Sequence, residues 1–435
     1  LWAGRGLNTA FSIGMAARGG PVSVRLVPQL LLHQNRAFDR VDVVLPPGYS
    51  PNIYPWHPGR IDWPQRPGES SFWLPDPGQS FIRFDARAVA FGLSTENLWW
   101  GPALHNPLVL SNTAPGFPHL FFGTGAPIGT PLGEVEAQIV WGELRESRHF
   151  DGDRSNDRRT FSGFIVDLQP RPVPGLFLGM ARAHVGAVPE GDISLLDRFA
   201  RPFARPAVRH LDDDRDPSYR ILIFFARWAF PDAGFESYAE WASTATWDGL
   251  GDFVREPERG QAFTLGLQHV RPVGERWLRL FGELSHLTGG TGLPREGGAI
   301  SFYTDTHIPQ GHTHRGQLLG ASIGPGADAQ ALGADLFGRR GRIGIFAERV
   351  RYDDDAFHAV HAPFYGPAGQ DFELSAGVRQ LIFLPHLDLG WTLGYSRRRN
   401  RNFLDLDRFR YEYRVEGNWS LDVQLNLRID GETDV

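Results

Sequence analysis

Residues 420–429 read Ser420-Leu421-Asp422-Val423-Gln424-Leu425-Asn426-Leu427-Arg428-Ile429, and this stretch decides the fold. Leu421, Val423, Leu425, Leu427 and Ile429 alternate with Ser420, Asp422, Gln424, Asn426 and Arg428, the period of a strand with one greasy and one polar face. Just upstream, Phe409, Tyr411, Tyr413 and Val415 alternate with Arg410, Glu412, Arg414 and Glu416. Between the two, Gly417-Asn418 suits a tight hairpin turn. A soluble sandwich would also alternate. The charge ladder of Arg410, Glu412, Arg414 and Glu416 opposite aromatic and aliphatic residues instead suits lipid outside and a wet lumen inside, so these four are read as lumen-facing.

The same pattern recurs upstream. Val135, Ala137, Ile139 and Trp141 oppose Glu134, Glu136 and Gln138; Leu387, Leu389, Trp391, Leu393 and Tyr395 oppose His386, Asp388, Thr392 and Ser396. Val22, Val24, Leu26, Leu30 and Leu32 alternate in part with Ser23, Arg25, Gln29 and His33. Further strands are expected in 8–18, 176–185, 219–230, 262–270, 276–287, 342–352 and 372–384. At roughly 24 residues per strand and connection, the length holds on the order of 18 strands. The expectation is an all-β fold: a transmembrane antiparallel β-barrel of about 18 strands with long loops, spanning 1–435 as a single unit. Residues 46–79, with Pro46-Pro47, Tyr54-Pro55-Trp56, Trp63-Pro64 and Trp73, are too long for a casual loop and read as a surface lid or a lumen plug. Short turns at Gly19-Gly20 and Gly417-Asn418 imply antiparallel first and last strands, so the sheet can close; the side occupied by the termini stays open.

Composition narrows the function. Cysteine is absent, which excludes disulfides and thiolate chemistry, and all 44 basic residues are Arg. The net charge of −6 comes without a long basic block, so nucleic acid is not an expected partner. Aromatics make up 12%, with 13 Trp, which fits membrane–water interfaces and stacking on sugar rings. No stretch approaches the roughly 20 apolar residues of a transmembrane helix. The opening Leu1-Trp2-Ala3 carries no leader pattern, so an exported form would have lost its signal peptide.

Asn97-Leu98-Trp99-Trp100-Gly101-Pro102, followed by Leu108-Val109-Leu110-Ser111-Asn112 and Pro115-Gly116, resembles the hallmark of the capsule assembly Wzi family. Thr313-His314-Arg315-Gly316-Gln317, Leu319-Gly320-Ala321, Ile323-Gly324-Pro325-Gly326 and Ala331-Leu332-Gly333 are similar to a second stretch of it. A third is Arg227-Trp228, Pro231, Gly234-Phe235-Glu236 and Tyr238-Ala239-Glu240-Trp241. The resemblance implies an outer-membrane, lectin-like barrel of about 18 strands that attaches capsular or exopolysaccharide to the bacterial surface.

Several constellations are weighed against plain structural roles. Trp99, Trp100, His105, Asn106 and Asn112 are read either as a saccharide subsite or as lumen packing. Tyr54, Trp56, His57, Trp63 and Trp73 form either an aromatic glycan platform or a girdle or self-packed plug. Arg397, Arg398 and Arg399, with Arg401, make a basic knot at a loop, suited to anionic polysaccharide or to lipid headgroups. Asp212-Asp213-Asp214 and Asp353-Asp354-Asp355 lack calcium-loop spacing and read as acidic loop tips, and His307, His312 and His314 do not complete a metal site. Gly-x-Ser-x-Gly, His-Glu-x-x-His and Walker patterns are missing, and although Glu283, Ser285 and His286 fall on one strand, Ser285 and His286 point to opposite faces. The expectation is therefore a non-catalytic polysaccharide-binding or anchoring barrel of the bacterial outer membrane, with no metal or cofactor. Its expected partners are surface polysaccharide, outer-membrane lipid and lipopolysaccharide, and other envelope proteins. The rivals are a sugar- or anion-conducting porin, an outer-membrane enzyme acting on lipid or glycan, and a structural subunit of a larger outer-membrane assembly.

Overall fold

Period-2 alternation becomes strands because a pleated ribbon sends successive side chains to opposite faces. In the computed structural model, which describes residues 4–41, 48–188, 218–244, 250–255, 260–288, 301–362, 369–403 and 414–427, strands dominate. They begin with β1 (Asn8–Ser12), β2 (Met15–Gly19), β3 (Val22–Leu26), β4 (Gln29–His33), β5 (Phe72–Asp76), β6 (Phe81–Ala86), β7 (Val89–Ser94), β8 (His119–Thr124) and β9 (Ile128–Gly129). Long strands follow: β10 (Gly133–Arg145), β11 (Arg158–Pro170), β12 (Leu176–Ala187), β13 (Ser218–Phe230), β14 (Phe235–Ser243), β15 (Gln261–Val273) and β16 (Arg276–His286). After the short hairpin of β17 (Thr313–His314) and β18 (Gln317–Leu318) come β19 (Asp328–Gly338), β20 (Gly341–Tyr352), β21 (Asp371–Phe383), β22 (Leu387–Arg399) and β23 (Val415–Leu427).

Eighteen of these segments form one antiparallel sheet that curls into a barrel wall. The wall runs from β2 through β3, β6, β7, β8 and β10 and onward to β23. Because β8 and β9 both pair with β10, they count as one position, which leaves seventeen. Seventeen positions are joined by an even number of antiparallel pairings, which sets β2 and β23 running in the same direction, and no register joins them among the described residues. This corrects the reading of antiparallel first and last strands. Its source was Gly417-Asn418, which is not a turn: both lie inside β23, opposite Arg397 and Ser396. A partner on β22 for every residue of β23 outweighs local turn preference. Phe409, Arg410, Tyr411, Glu412, Tyr413, Arg428, Ile429, Pro46, Pro47 and Asp212-Asp213-Asp214 lie outside the described residues.

Outward positions are apolar and exposed around the wall, among them Phe84, Phe91, Phe122, Phe224, Leu280, Ile345, Leu393 and Leu421. One end of the barrel carries tight connections, such as 87–88, 274–275 and 339–340; the other carries long ones, such as 95–118 and 287–327. At the long-loop end β1, β4 and β5 form a three-stranded sheet that continues β2, β3 and β6 past a bend near Pro28 and Pro77. The buried apolar core lies inside the wall, where Leu108, Val109, Leu110, Phe302, Tyr303, Ile308, Leu319 and Ile323 cluster with Phe161, Ile221 and Ile223 of the wall. Burying each large apolar side chain contributes roughly 1.5–3 kcal/mol, so this part of the lumen is filled by packed protein.

Candidate functional site

The loop 95–118 leaves β7 and returns to β8, its neighbour, yet between them it reaches β14 and β16 far around the wall. It is a crossbar through the lumen. Glu240 of β14 accepts the N–H of Ala103 at 2.8 Å and of Leu108 at 3.0 Å. Glu283 of β16 accepts the N–H groups of Leu104 (2.7 Å), His105 (3.1 Å) and Asn106 (2.8 Å), and the Tyr238 hydroxyl donates to it at 2.7 Å. Backbone N–H groups in a buried loop need acceptors, and two carboxylates supply them at charge-assisted strength. Gly101 has φ +106°, and a Cβ there would run into the Glu240 carboxylate, so the glycine of the Trp-Trp-Gly-Pro motif is demanded by backbone and space together.

This geometry separates the expected sugar contacts. Trp100 is 2% exposed and packs against Phe161 and Gly163, and Asn106 is buried beside Thr264, whose hydroxyl donates to the Asn106 carbonyl. Trp99 is 40% exposed, with its indole N–H donating to the Ala103 carbonyl at 3.0 Å. His105 and Asn112 are also exposed. The His105 ring stacks on Phe281 at 5.2 Å.

Segments 48–70 and 301–327 cover the crossbar from the long-loop end. Tyr303 donates its hydroxyl to the Leu108 carbonyl and takes the N–H of Ala321, while Ser111 donates to the Gly320 carbonyl. Arg159 of β11 reaches the Gly311 and Thr313 carbonyls, both at 3.0 Å. Asp62 takes the Ser147 N–H and hydroxyl at 2.6 Å each. His312 donates from Nε2 to the Val109 carbonyl at 2.7 Å; burial pushes its imidazole down to about 4, and Nδ1 is buried without a partner. His314 accepts the Arg145 N–H on Nδ1, so both histidines serve backbone bonding. Burial pushes Glu146, beside Gln310, up to about 8.

The Pro-rich segment divides in the same way. Tyr54 and His57 both bond Asp353, at 2.7 and 3.1 Å, and Trp63 packs on Tyr54 at 4.8 Å. Trp56 lies 5.5 Å from Phe403. Trp73 is elsewhere, 62% exposed on the outer face of β5 opposite Leu32, so the five aromatics do not make one platform. Asp353, read as part of an acidic loop tip, is a buried latch because two ring donors and the Ala356 N–H saturate it.

The arginine triplet belongs to a strand, not a loop, and alternation splits it. Arg398 turns inward onto Asp371 through two bonds of 2.8 and 2.7 Å, its guanidinium 3.9 Å from the Tyr352 ring centroid. Arg397, opposite Leu374, and Arg399, over Phe372, occupy the outer face at the long-loop rim. Glu416, opposite Arg398, shares the inward face and pairs with Arg401 and Arg414. Sequence reasoning missed Glu240 and Glu283 as latches. Strand parity could have placed them in the lumen, but nothing local to them names the loop they hold.

The capsule assembly protein Wzi family model matches residues 17–403. No curated protein matches the chain in sequence. Among solved structures, the Escherichia coli outer-membrane protein Wzi, described as a carbohydrate-binding β-barrel involved in group 1 capsule assembly, aligns with TM-score 0.62 at 10% identity over 95% of this chain and 77% of its own. Pseudomonas aeruginosa OccK2 (OpdF) aligns at 0.43, with 11% identity over 96% of this chain and 91% of its own. A BenF-like porin from Pseudomonas fluorescens Pf-5 gives 0.43 and 11%, over 97% and 91%.

Proposed function

The chain belongs to the capsule assembly protein Wzi family and is an outer-membrane β-barrel, and from that premise we propose that it binds and anchors bacterial surface polysaccharide without turning it over. The observation that carries this reading is the latched crossbar. It leaves an indole face at Trp99 and the polar side chains of His105 and Asn112 accessible on a rigid support. An indole stacks on the apolar face of a pyranose while an amide bonds its hydroxyls. Rigid presentation lowers the ordering entropy lost on binding.

Absence of turnover is supported by the state of the lumen carboxylates. Glu240 and Glu283 have their oxygens filled by backbone N–H groups and a tyrosine hydroxyl, so neither is placed to exchange protons with a substrate. A conducting porin would need a water path where the apolar core sits. Lipid and lipopolysaccharide are further proposed partners, through the outward apolar belt and through Arg397 and Arg399 on the rim, where guanidinium meets phosphate. Other envelope proteins complete the proposed set of partners.

Purified barrel in detergent, titrated calorimetrically with capsular or exopolysaccharide from its own organism, is expected to retain the polymer and leave its chain length unchanged. No retention on calorimetry or on a glycan array overturns the reading. In planar bilayers the same preparation is expected to be silent; steady open steps would restore the porin.

A further inference from the structure

Below the crossbar, toward the short-turn end, three strands bring three guanidiniums to one carboxylate. Asp335 of β19 is 0% exposed, and Arg379 of β21 grips it with Nε at 3.0 Å and Nη2 at 2.8 Å. Arg279 of β16 stands 3.5 Å from the same carboxylate and Arg342 of β20 stands 3.9 Å away. Arg279 and Arg379 also share one ring, at 5.0 and 5.3 Å from the Phe281 centroid, and His105 stacks on that ring.

The charges do not balance. Three guanidiniums meet one carboxylate, which leaves a local surplus of two positive charges. The nearby Glu236 does not offset it, because that carboxylate pairs with Arg227 at 2.6 Å and takes the Gln268 amide. Glu283, higher on β16, turns to the crossbar amides. Asp422 lies on the same face two strands beyond Arg379, across Thr392. Each guanidinium carries five N–H donors, and among the described residues few of the fifteen are used: two by Arg379 on Asp335, and the Nε of Arg279 on Gln268 at 2.8 Å. Like charges held on one ring repel, and an oxyanion among them would relieve that repulsion while filling the unused donors.

We infer that Arg279, Arg342 and Arg379 form an anion-binding subsite in the short-turn half of the lumen, which takes a carboxylate or phosphate group of the polymer. The inference rests on the polysaccharide-binding reading and adds the charge class of the ligand and a second place where it is held. A planar oxyanion matches the fork of two guanidiniums, and Phe281 with His105 gives a flat apolar neighbour for the group that carries it.

The test is calorimetric titration of the full chain in detergent, at fixed ionic strength, with sodium D-glucuronate, inorganic phosphate and D-glucose. The parent, Arg342→Gln and Arg339→Gln are compared; Arg342 has the loosest hold on Asp335, and Arg339 is an exposed turn residue paired to Glu275. At least one anion is expected to bind about tenfold or more tighter than glucose, R342Q to lose about tenfold of that affinity, and R339Q to match the parent. Tighter glucuronate assigns a sugar carboxylate, and tighter phosphate assigns a phosphate. Equal binding of all three probes by the parent, or undiminished anion binding by R342Q, overturns the subsite. Should the parent retain whole polysaccharide yet fail to discriminate anions, only the subsite falls; should it retain no polysaccharide, the reading beneath it falls.

Discussion

Glu283 accepts the backbone N–H of Asn106 at 2.8 Å although 177 residues separate them along the chain. One carboxylate thereby ties the motif-bearing loop to the far wall, and removing it strands Leu104, His105, Asn106 and the Tyr238 hydroxyl together. Each buried donor left unmet costs about 1–3 kcal/mol. Glu283→Ala is expected to lower the urea midpoint of the folded barrel, by a free energy on the order of 4 kcal/mol, and to admit ion flow in planar bilayers. A silent variant with the parent's midpoint would remove the crossbar from its role as a latch.

The two adjacent tryptophans should part company. Trp99→Ala is expected to weaken polysaccharide retention about tenfold at unchanged melting temperature, because its ring is accessible. Trp100→Ala instead opens a cavity against Phe161 and costs about 3–5 kcal/mol of stability. Parallel calorimetry and thermal melts of both variants check this, and equal effects on binding would contradict it.

Acid should loosen the plug at His312. Its folded imidazole sits near 4 against an ordinary 6.5, so its contribution is complete above 6.5 and drains away as pH falls through about 4. Glu146 works in the opposite sense: raised from 4.5 to about 8, it contributes fully below 4.5 and loses that contribution as pH climbs through 8. In a Glu146→Gln background, which removes the opposing titration, the protection factors of the Ser111 and Leu319 amides, which bond across this junction, are expected to fall from pH 6.5 down to 4. Protection that stays flat over that interval would count against the histidine.

Facing should decide tolerance on the last strand. Leu421→Arg puts a charge on the outward apolar face and is expected to cost roughly 2–4 kcal/mol of folding into vesicles. Ser420→Arg, on the inward face opposite Gly394, is expected to fold nearly as the parent does. Vesicle folding titrations of both would expose an error in facing if the penalties came out equal or reversed.

Legibility follows the range of the interactions. The outward row Leu421, Val423, Leu425 and Leu427 could be read directly, because strand facing has a period of two and needs no partner to be known. Gly417-Asn418 misled for the complementary reason: a local turn signal lost to a ladder supplied by β22. The Arg397–Arg399 run was visible as charge, but its division into one inward and two outward groups required knowing that the strand continues through it.

The residue alternation alone determined an all-β wall with an apolar exterior, and the motif blocks determined the family, since both are written in adjacent positions. Whether Trp99 or Trp100 meets solvent, which carboxylates clamp the loop, and where three arginines converge were decided only when the wall curled. Those contacts join strands and loops far apart in the chain. Their pairing depends on register and curvature, which no local pattern of residues encodes.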